Sequence, residues 1–403
     1  MKLLTSRIKS MLITFILLSA TALGAVAYVK EPAKATGDRL ERFKNSPQWE
    51  DGKFRNELDQ TQGSLWEMIT ATFTNNAKHT APTESLPIVE RKKSEFDTPP
   101  ESGLRTTWLG HSTVLIEIDN YKVLTDPVWS ERASPFSFLG PKRFHEPPLS
   151  LNELPSIDAV VISHDHFDHL DEATIKALKN YIPKFVVPLG IGAHLEEWGV
   201  DGSRIVELDW WEDIKLGELT LTATPARHFS GRSLVNINLN ETLWSGWSIA
   251  GPKHNVYYSG DTAMFPGFSE IGERLGPFDL TMIELGAYNA LWPDVHIGPE
   301  QALQAHKIVR GKVMMPVHWA TFDLAMHNWT EPVERLMNAN KDAQTTIVFP
   351  KPGESFDPTN PPSMVKWWPE LPWQNAEEAP LVSTGLDSEV AQLENKEVFE
   401  GGE

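Results

Sequence analysis

The chain has 403 residues, a formal net charge of −19, an ordinary 40% hydrophobic content and no cysteine. That length allows one large domain or two small ones, and the acidic balance argues against a nucleic-acid partner, which needs a basic face to displace counterions. Without cysteine there is no disulfide and no lipidated thiol anchor, so a metal site must draw on His, Asp, Glu or water.

In chain order, Lys2, Arg7 and Lys9 precede an uncharged run over residues 11–29. As a helix this run would be roughly 28 Å long, close to the hydrocarbon core of a bilayer. The basic flank should stay in the cytoplasm. Ala25-Val26-Ala27 also suits a signal peptidase. Residues 1–29 are therefore expected to be a cleaved signal peptide or a retained anchor, and either places the remainder outside the cytoplasm, in or facing a periplasm. Residues 30–102 form an N-terminal extension expected to pack on the main domain. Within it, residues 64–74 carry Leu65, Trp66, Met68, Ile69 and Phe73 at helical spacing. That face suits packing on the domain or, alternatively, a lipid surface.

Strand signals become dense from Leu104. Residues 104–109, 113–118 and 121–125 read as strands, with Asp119-Asn120 as a hairpin turn between the last two. Residues 159–163 read as a short apolar strand. Residues 171–180 read as a helix capped by Asp171. Further strands are expected at 185–188, 205–208, 218–224, 256–259, 280–284 and 313–317, and a helix at 299–310. The catalytic domain is set at 103–355. An acidic, Pro-rich tail follows at 356–403; Trp367, Trp368 and Trp373 could latch its first part, while residues 376–403 are expected to be loose and without chemistry.

The strand at 159–163 delivers His164-Asp165-His166-Phe167-Asp168-His169, an HxHxDH pattern. Four metal ligands within six residues exceed what one tetrahedral ion draws from a single loop, so two ions are the economical reading. Nitrogen and oxygen ligands around a metal pair point to hydrolysis, because two ions can activate one water. The remaining ligands fall after other strands: His228 after 218–224, Asp261 after 256–259, and His318 after 313–317. Strands ending at one rim can bring such side chains together. His164, His166 and His228 are assigned to one ion, and Asp168, His169 and His318 to the other. Asp261 bridges, with Gly260 allowing close backbone approach. Two zinc ions are expected; manganese or iron can compete for such ligands. His79, His145, His194, His254, His306 and His327 receive no role and read as packing.

The order HxHxDH, His, Asp, His resembles the metallo-β-lactamase superfamily. The longer runs Thr107-Trp108-Leu109-Gly110-His111-Ser112-Thr113, Leu139-Gly140-Pro141-Lys142-Arg143-Phe144, Val206-Glu207-Leu208-Asp209-Trp210-Trp211-Glu212 and Val317-His318-Trp319-Ala320-Thr321-Phe322 resemble its N-acyl phosphatidylethanolamine-hydrolysing phospholipase D branch. The resemblance covers roughly residues 41–355. It implies an α/β fold, the metallo-β-lactamase αββα sandwich of two mixed sheets flanked by helices, with a dizinc site at one edge. It implies a phospholipid substrate at a membrane surface, phosphatidic acid and an N-acylethanolamine as products, and a homodimer. The chain is shorter than the animal enzymes between Gly286-Ala287-Tyr288 and His296 and differs after His228, two stretches expected to border the substrate groove.

Within that reading, hydroxide from a water shared by the ions attacks phosphorus while the metals neutralise the developing charge. Asp168 and Asp261 take part as ligands. His296, which has a counterpart in the family, is expected to bind the phosphate or protonate the leaving oxygen. Asp126 is expected to accept a hydrogen bond from a ligand histidine, with His111 as a further supporting residue; a turn-forming Asp before Pro127 is the plain alternative. Tyr288 lines the groove or packs in the core. The rival readings are a lactonase or other ester hydrolase on the same ions and, more distantly, a non-catalytic membrane-tethered metal-binding protein.

Overall fold

The computed structural model describes residues 33–75, 77–233 and 238–386, and the hydrophobic run at 11–29 lies outside them. No helix among the described residues is long and apolar enough to cross a membrane. The extension begins with α1 (Asp38–Lys44), the small hairpin β1 (Trp49–Glu50) and β2 (Lys53–Phe54), and α2 (Leu65–Thr74). The Ser64 hydroxyl and the Glu67 carboxylate close a reciprocal cap at the start of α2. Trp66 on this helix is 75% exposed. Phe43 and Phe54 dock the extension onto Trp210, Leu243 and Trp244.

The first large sheet contains β3 (Leu104–Gly110), β4 (Thr113–Ile118), β5 (Tyr121–Thr125) and β6 (Ala159–Val161). After α3 (Glu172–Leu178) it continues with β7 (Phe185–Pro188), and after α4 (Ile191–Glu197) with β8 (Ile205–Leu208). The second sheet contains β9 (Asp213–Leu216), β10 (Leu219–Thr224), β11 (Gly246–Ala250) and β12 (Asn255–Tyr258). After α5 (Gly267–Leu275) come β13 (Phe278–Glu284), α6 (Pro299–Ile308), β14 (Gly311–Val317), α7 (Glu331–Ala343) and β15 (Thr346–Ile347). A last strand, β16 (Ser355–Phe356), returns to the first sheet.

The sheet orders are β16-β3-β4-β5-β6-β7-β8 and β15-β14-β13-β12-β11-β10-β9. Each is antiparallel at one end and parallel at the other, with β5 to β8 parallel in the first and β12 to β15 parallel in the second. Period-two alternation decides the layers. Val114, Ile116, Val123 and Val161 join Trp247, Val256 and Met282 in the core between the sheets. Their chain neighbours Leu115, Leu124 and Val160 pack outward on Ile175, Leu178 and Leu195 of α3 and α4. This is the α/β αββα sandwich. Asp171 caps α3, accepting from the Ala173 amide at 3.1 Å.

The tail differs from the loose segment expected at 376–403, as far as residue 386. Trp368 is buried and donates to Glu334 at 2.9 Å. Further on, Ser383 is buried, and Thr384 donates its backbone N–H to Asp294 at 2.7 Å. Composition marks this segment as polar, but buried acceptors in the domain supply the partners that order it.

Candidate metal centre

Parallel strands carry the site, because their C-terminal ends lie along one rim. Asp126 follows β5, and the HxHxDH loop follows β6. On the facing sheet Asp261 follows β12, Glu284 ends β13 and His318 follows β14. His228 comes four residues after β10, and His111 sits in the turn between β3 and β4. Gly260 has φ of +60°, and a Cβ there would lie 2.7 Å from the Ser245 carbonyl oxygen and 2.8 Å from Ser163 Cβ. Glycine is therefore required for the Asp261 loop to approach the loop bearing His164. His111, Asp126 and His318 adopt positive φ of 52°, 32° and 65° without that freedom, and such positions are tolerated where surrounding structure over-determines them.

The seven proposed ligands are brought together. His164 Nε2 lies 2.8 Å from His166 Nδ1, which is 3.3 Å from His228 Nε2. Asp168 Oδ2 lies 3.4 Å from the Nε2 atoms of both His169 and His318. Asp261 Oδ2 stands between the groups, 3.1 Å from His169 and His318 and 3.9 Å from His164 and His228. The candidate ligand atoms fall into overlapping sets, each within 4.8 Å of one another. His169 Nε2, His318 Nε2 and Asp261 Oδ1 are buried without a well-directed hydrogen bond. Such orphaned nitrogen and oxygen atoms facing one another fit divalent cations.

The electrostatics fit the same chemistry. Burial holds His164 well below the usual imidazole range, aided by His169, His166 and His228, so the ring is neutral and one nitrogen keeps a free lone pair. His228 is depressed likewise, burial outweighing the pull of Asp261. Burial would raise Asp168 and Asp261, but the charge of His169 opposes it in both, joined by hydrogen bonding from His111 at Asp168 and by His318 at Asp261; both carboxyls end far below their ordinary range. His318 is correspondingly raised to about 10, the carboxylate of Asp261 overcoming burial. The metal-free site thus pairs two carboxylates with the imidazoliums of His169 and His318, and metal cations would replace those protons.

Asp126 is the hub beneath the ligands. It accepts from His169 Nδ1 at 2.7 Å, the Ser163 amide at 2.7 Å, Ser163 Oγ at 2.5 Å and Tyr258 Oη at 2.5 Å. Burial, with Asp126 alongside, raises Tyr258 well above its usual range, which keeps it a donor. His111 Nε2 donates to Asp168 Oδ2 at 3.0 Å; burial and His318 push its pKa down to about 3, so it is the neutral Nε2–H tautomer that does so. Val295 supplies a carbonyl to His228 Nδ1 at 2.9 Å. Tyr288 is buried and donates to Glu331 at 3.0 Å, so of its two readings the structure places it in core packing rather than in an open groove.

His296 lies at the rim of the cluster, its Nδ1 2.7 Å from Glu284 Oε2 and 3.8 Å from Asp261 Oδ2. Glu284 was not anticipated. It is fully buried, and its Oε1 accepts from the Thr262 amide at 2.5 Å. Burial and Asp261 raise it well above the carboxylate range. The available signal was an acidic residue ending a strand whose neighbours in the sheet also end in ligands. Asp165 and His194 were also passed over. His194 Nε2 lies 3.6 Å from Asp165 Oδ2, and Arg232 Nη1 donates to the carbonyls of Asp165 and Leu170 at 2.6 and 2.7 Å, bracing the motif loop from behind.

A cavity of about 600 Å³ adjoins that loop at Phe167. Its lining mixes Phe136, Phe167 and Trp198 with Arg132, Lys176 and Arg232, and several carboxylates share it.

Similarity to known proteins bears on this arrangement. Residues 121–319 match the family model described as a beta-lactamase superfamily domain. An uncharacterized protein of Mycobacterium tuberculosis is 47% identical over 338 residues, which cover 80% of this chain and 87% of that protein. The N-acyl-phosphatidylethanolamine-hydrolyzing phospholipase D 1 of Caenorhabditis elegans is 41% identical over 290 residues, covering 68% of this chain and 80% of the worm protein. Among solved structures, an isothiocyanate hydrolase from Delia radicum gut bacteria aligns with a TM-score of 0.50 at 19% identity, over 63% of this chain and 98% of that one, a likeness of fold.

Proposed function

We propose, because the chain belongs to the N-acyl-phosphatidylethanolamine-hydrolysing phospholipase D family of the β-lactamase superfamily, that it is a two-zinc phosphodiesterase. Membership makes it a metal-dependent hydrolase. The finer reading is that it hydrolyses N-acyl phosphatidylethanolamine-like phospholipids to phosphatidic acid and an N-acylethanolamine. The observation that carries two metals rather than one is Asp261 Oδ2, which stands 3.1–3.9 Å from four imidazole nitrogens belonging to both halves of the ligand set. His164, His166 and His228 would hold one ion and Asp168, His169 and His318 the other, with Asp261 shared. Two such ions supply Lewis acidity toward phosphoryl oxygens and a water acidic enough to ionise near neutral pH. The apolar part of the cavity beside Phe167 suits an acyl chain, while its charged lining carries both signs. The same reading keeps the protein at a membrane surface outside the cytoplasm, with a homodimer as its assembly.

The protein's own groups provide orientation and proton transfer. Glu284 occupies Nδ1 of His296, which fixes the ring plane and leaves Nε2 for a phosphoryl or leaving oxygen. His296→Ala should therefore lower kcat by about 10²–10⁴-fold, with zinc content unchanged. Glu284→Gln should cost less, since an amide can still meet Nδ1. Steady-state kinetics with zinc analysis on both variants is the check, and full turnover by His296→Ala would remove this role.

The reaction itself is tested by mass spectrometry of products from N-acyl phosphatidylethanolamine in detergent micelles. Chelator-stripped protein is compared with the same sample restored with zinc. Phosphatidic acid and N-acylethanolamine appearing only with metal are expected. A folded, zinc-loaded protein that yields neither would overturn the substrate assignment and direct attention to lactones and other esters.

A further inference from the structure

His228 and His296 lie on separate loops, with ring centroids 5.2 Å apart. Their spacing is set by groups outside the sandwich strands. Asp294, fully buried and two residues before His296, accepts three hydrogen bonds and faces one guanidinium. The Thr61 amide reaches its Oδ2 at 2.8 Å and the Thr384 hydroxyl the same oxygen at 2.5 Å. The Thr384 amide reaches Oδ1 at 2.7 Å, and Arg227 Nη1 lies 3.1 Å from that oxygen. Arg227 precedes His228 in the chain and is also buried; it donates to the carbonyls of Thr384 at 2.8 Å, Met264 at 3.3 Å and Asp59.

The next residue after Asp294 is Val295, whose carbonyl fixes His228 Nδ1. Asn56 clamps the backbone of His228 from the other side, accepting from its N–H at 3.1 Å and donating to its carbonyl at 2.7 Å. Ser383 donates to the Pro293 carbonyl at 2.9 Å. Segments 56–61 and 383–384, separated by more than three hundred residues, thus meet on the two loops that carry these histidines. A buried ion pair of this kind contributes little net stability compared with apolar packing of the same volume. Its clear consequence is geometric.

We propose that Asp294 is a positioning residue: joined to Arg227, and strapped by Thr61 and Thr384, it holds the Val295 carbonyl against His228 and sets His296 beside the metal ligands. The N-terminal extension and the tail are then working parts of the site. This rests on the reading of His228 as a metal ligand.

The test is zinc titration of the full chain against a chromogenic chelator, with thermal midpoints measured on the zinc-free protein. Asp294→Asn turns an amide toward two donors and risks misfolding, so Thr384→Val and Asn56→Ala carry the decision. Thr384 is solvent-exposed as a residue, and its hydroxyl can be removed without opening the core. The expected result in both variants is affinity for one zinc equivalent about 10-fold weaker, the lower end of what supporting partners contribute, and a lower kcat at similar KM; the thermal midpoint stays unchanged in Thr384→Val and falls in Asn56→Ala, where the buried His228 amide loses its acceptor. Zinc affinity equal to the parent in both variants would overturn the proposal. So would a fall in thermal midpoint with zinc affinity intact, which would mark a purely structural clasp. Because zinc binding is read without lipid, failure to hydrolyse N-acyl phosphatidylethanolamine would leave this result standing.

Discussion

Asp261→Asn is expected to abolish most hydrolysis, by about 10²–10³-fold in kcat or more, and to reduce bound zinc from two equivalents toward one. Its carboxylate lies within 4 Å of imidazoles from both halves of the site. Its charge matters as much as its place. Burial would push its pKa up, but the facing His169 and His318 pull it well below the carboxylate range, so it is anionic at neutral pH. An asparagine retains the shape but presents one neutral oxygen and an N–H₂ group to nitrogens whose lone pairs are needed for metal. Zinc per chain, measured with kcat on the same preparation, decides the matter. Two tightly held zinc ions with parental turnover would exclude Asp261 as a shared ligand.

Asp126→Ala is expected to have the second-largest effect, and it differs in kind. Four donors converge on this carboxylate: His169 Nδ1, the Ser163 amide, Ser163 Oγ and Tyr258 Oη. Each donor left buried without an acceptor costs about 1–3 kcal/mol, partly relieved where the Ser163 hydroxyl turns to His164 Nδ1, 2.9 Å away. Thermal stability of the zinc-free protein should therefore fall. The released His169 ring should also lose its fixed orientation, weakening zinc binding by about 10–100-fold. Asp126→Asn should lie between the two, because it retains one acceptor oxygen. Calorimetry of the stripped protein and chelator competition read the two effects separately. Unchanged zinc content in Asp126→Ala would show that Asp126 serves only the turn before Pro127.

Local ligand density was legible in the linear chain. His164, His166, Asp168 and His169 fall within six residues, and no structure is needed to see that they crowd one loop. The strand ends were legible too, because β-prone runs stop shortly before His228, Asp261 and His318. Glu284 escaped notice although it ends β13, because a lone glutamate after apolar residues ordinarily marks a strand emerging into solvent. Its burial follows from what surrounds it: Thr262, twenty-two positions away, and His296, twelve away.

The orienting network was out of reach for the same reason at longer range. Asp126 meets Tyr258 across 132 positions, and Asn56 meets His228 across 172. Thr61 and Thr384 share Asp294 although 323 positions separate them. Such pairings depend on the register of two sheets and the course of both terminal segments, and each partner read alone is an ordinary polar residue. The sequence determined which atoms could bind metal, because donor chemistry belongs to the residue. The tertiary structure decided which donors face one another, which carboxylate is shared and which buried groups hold the imidazoles still, because hydrogen bonds act over about 3 Å and only the fold brings such distant residues within that reach.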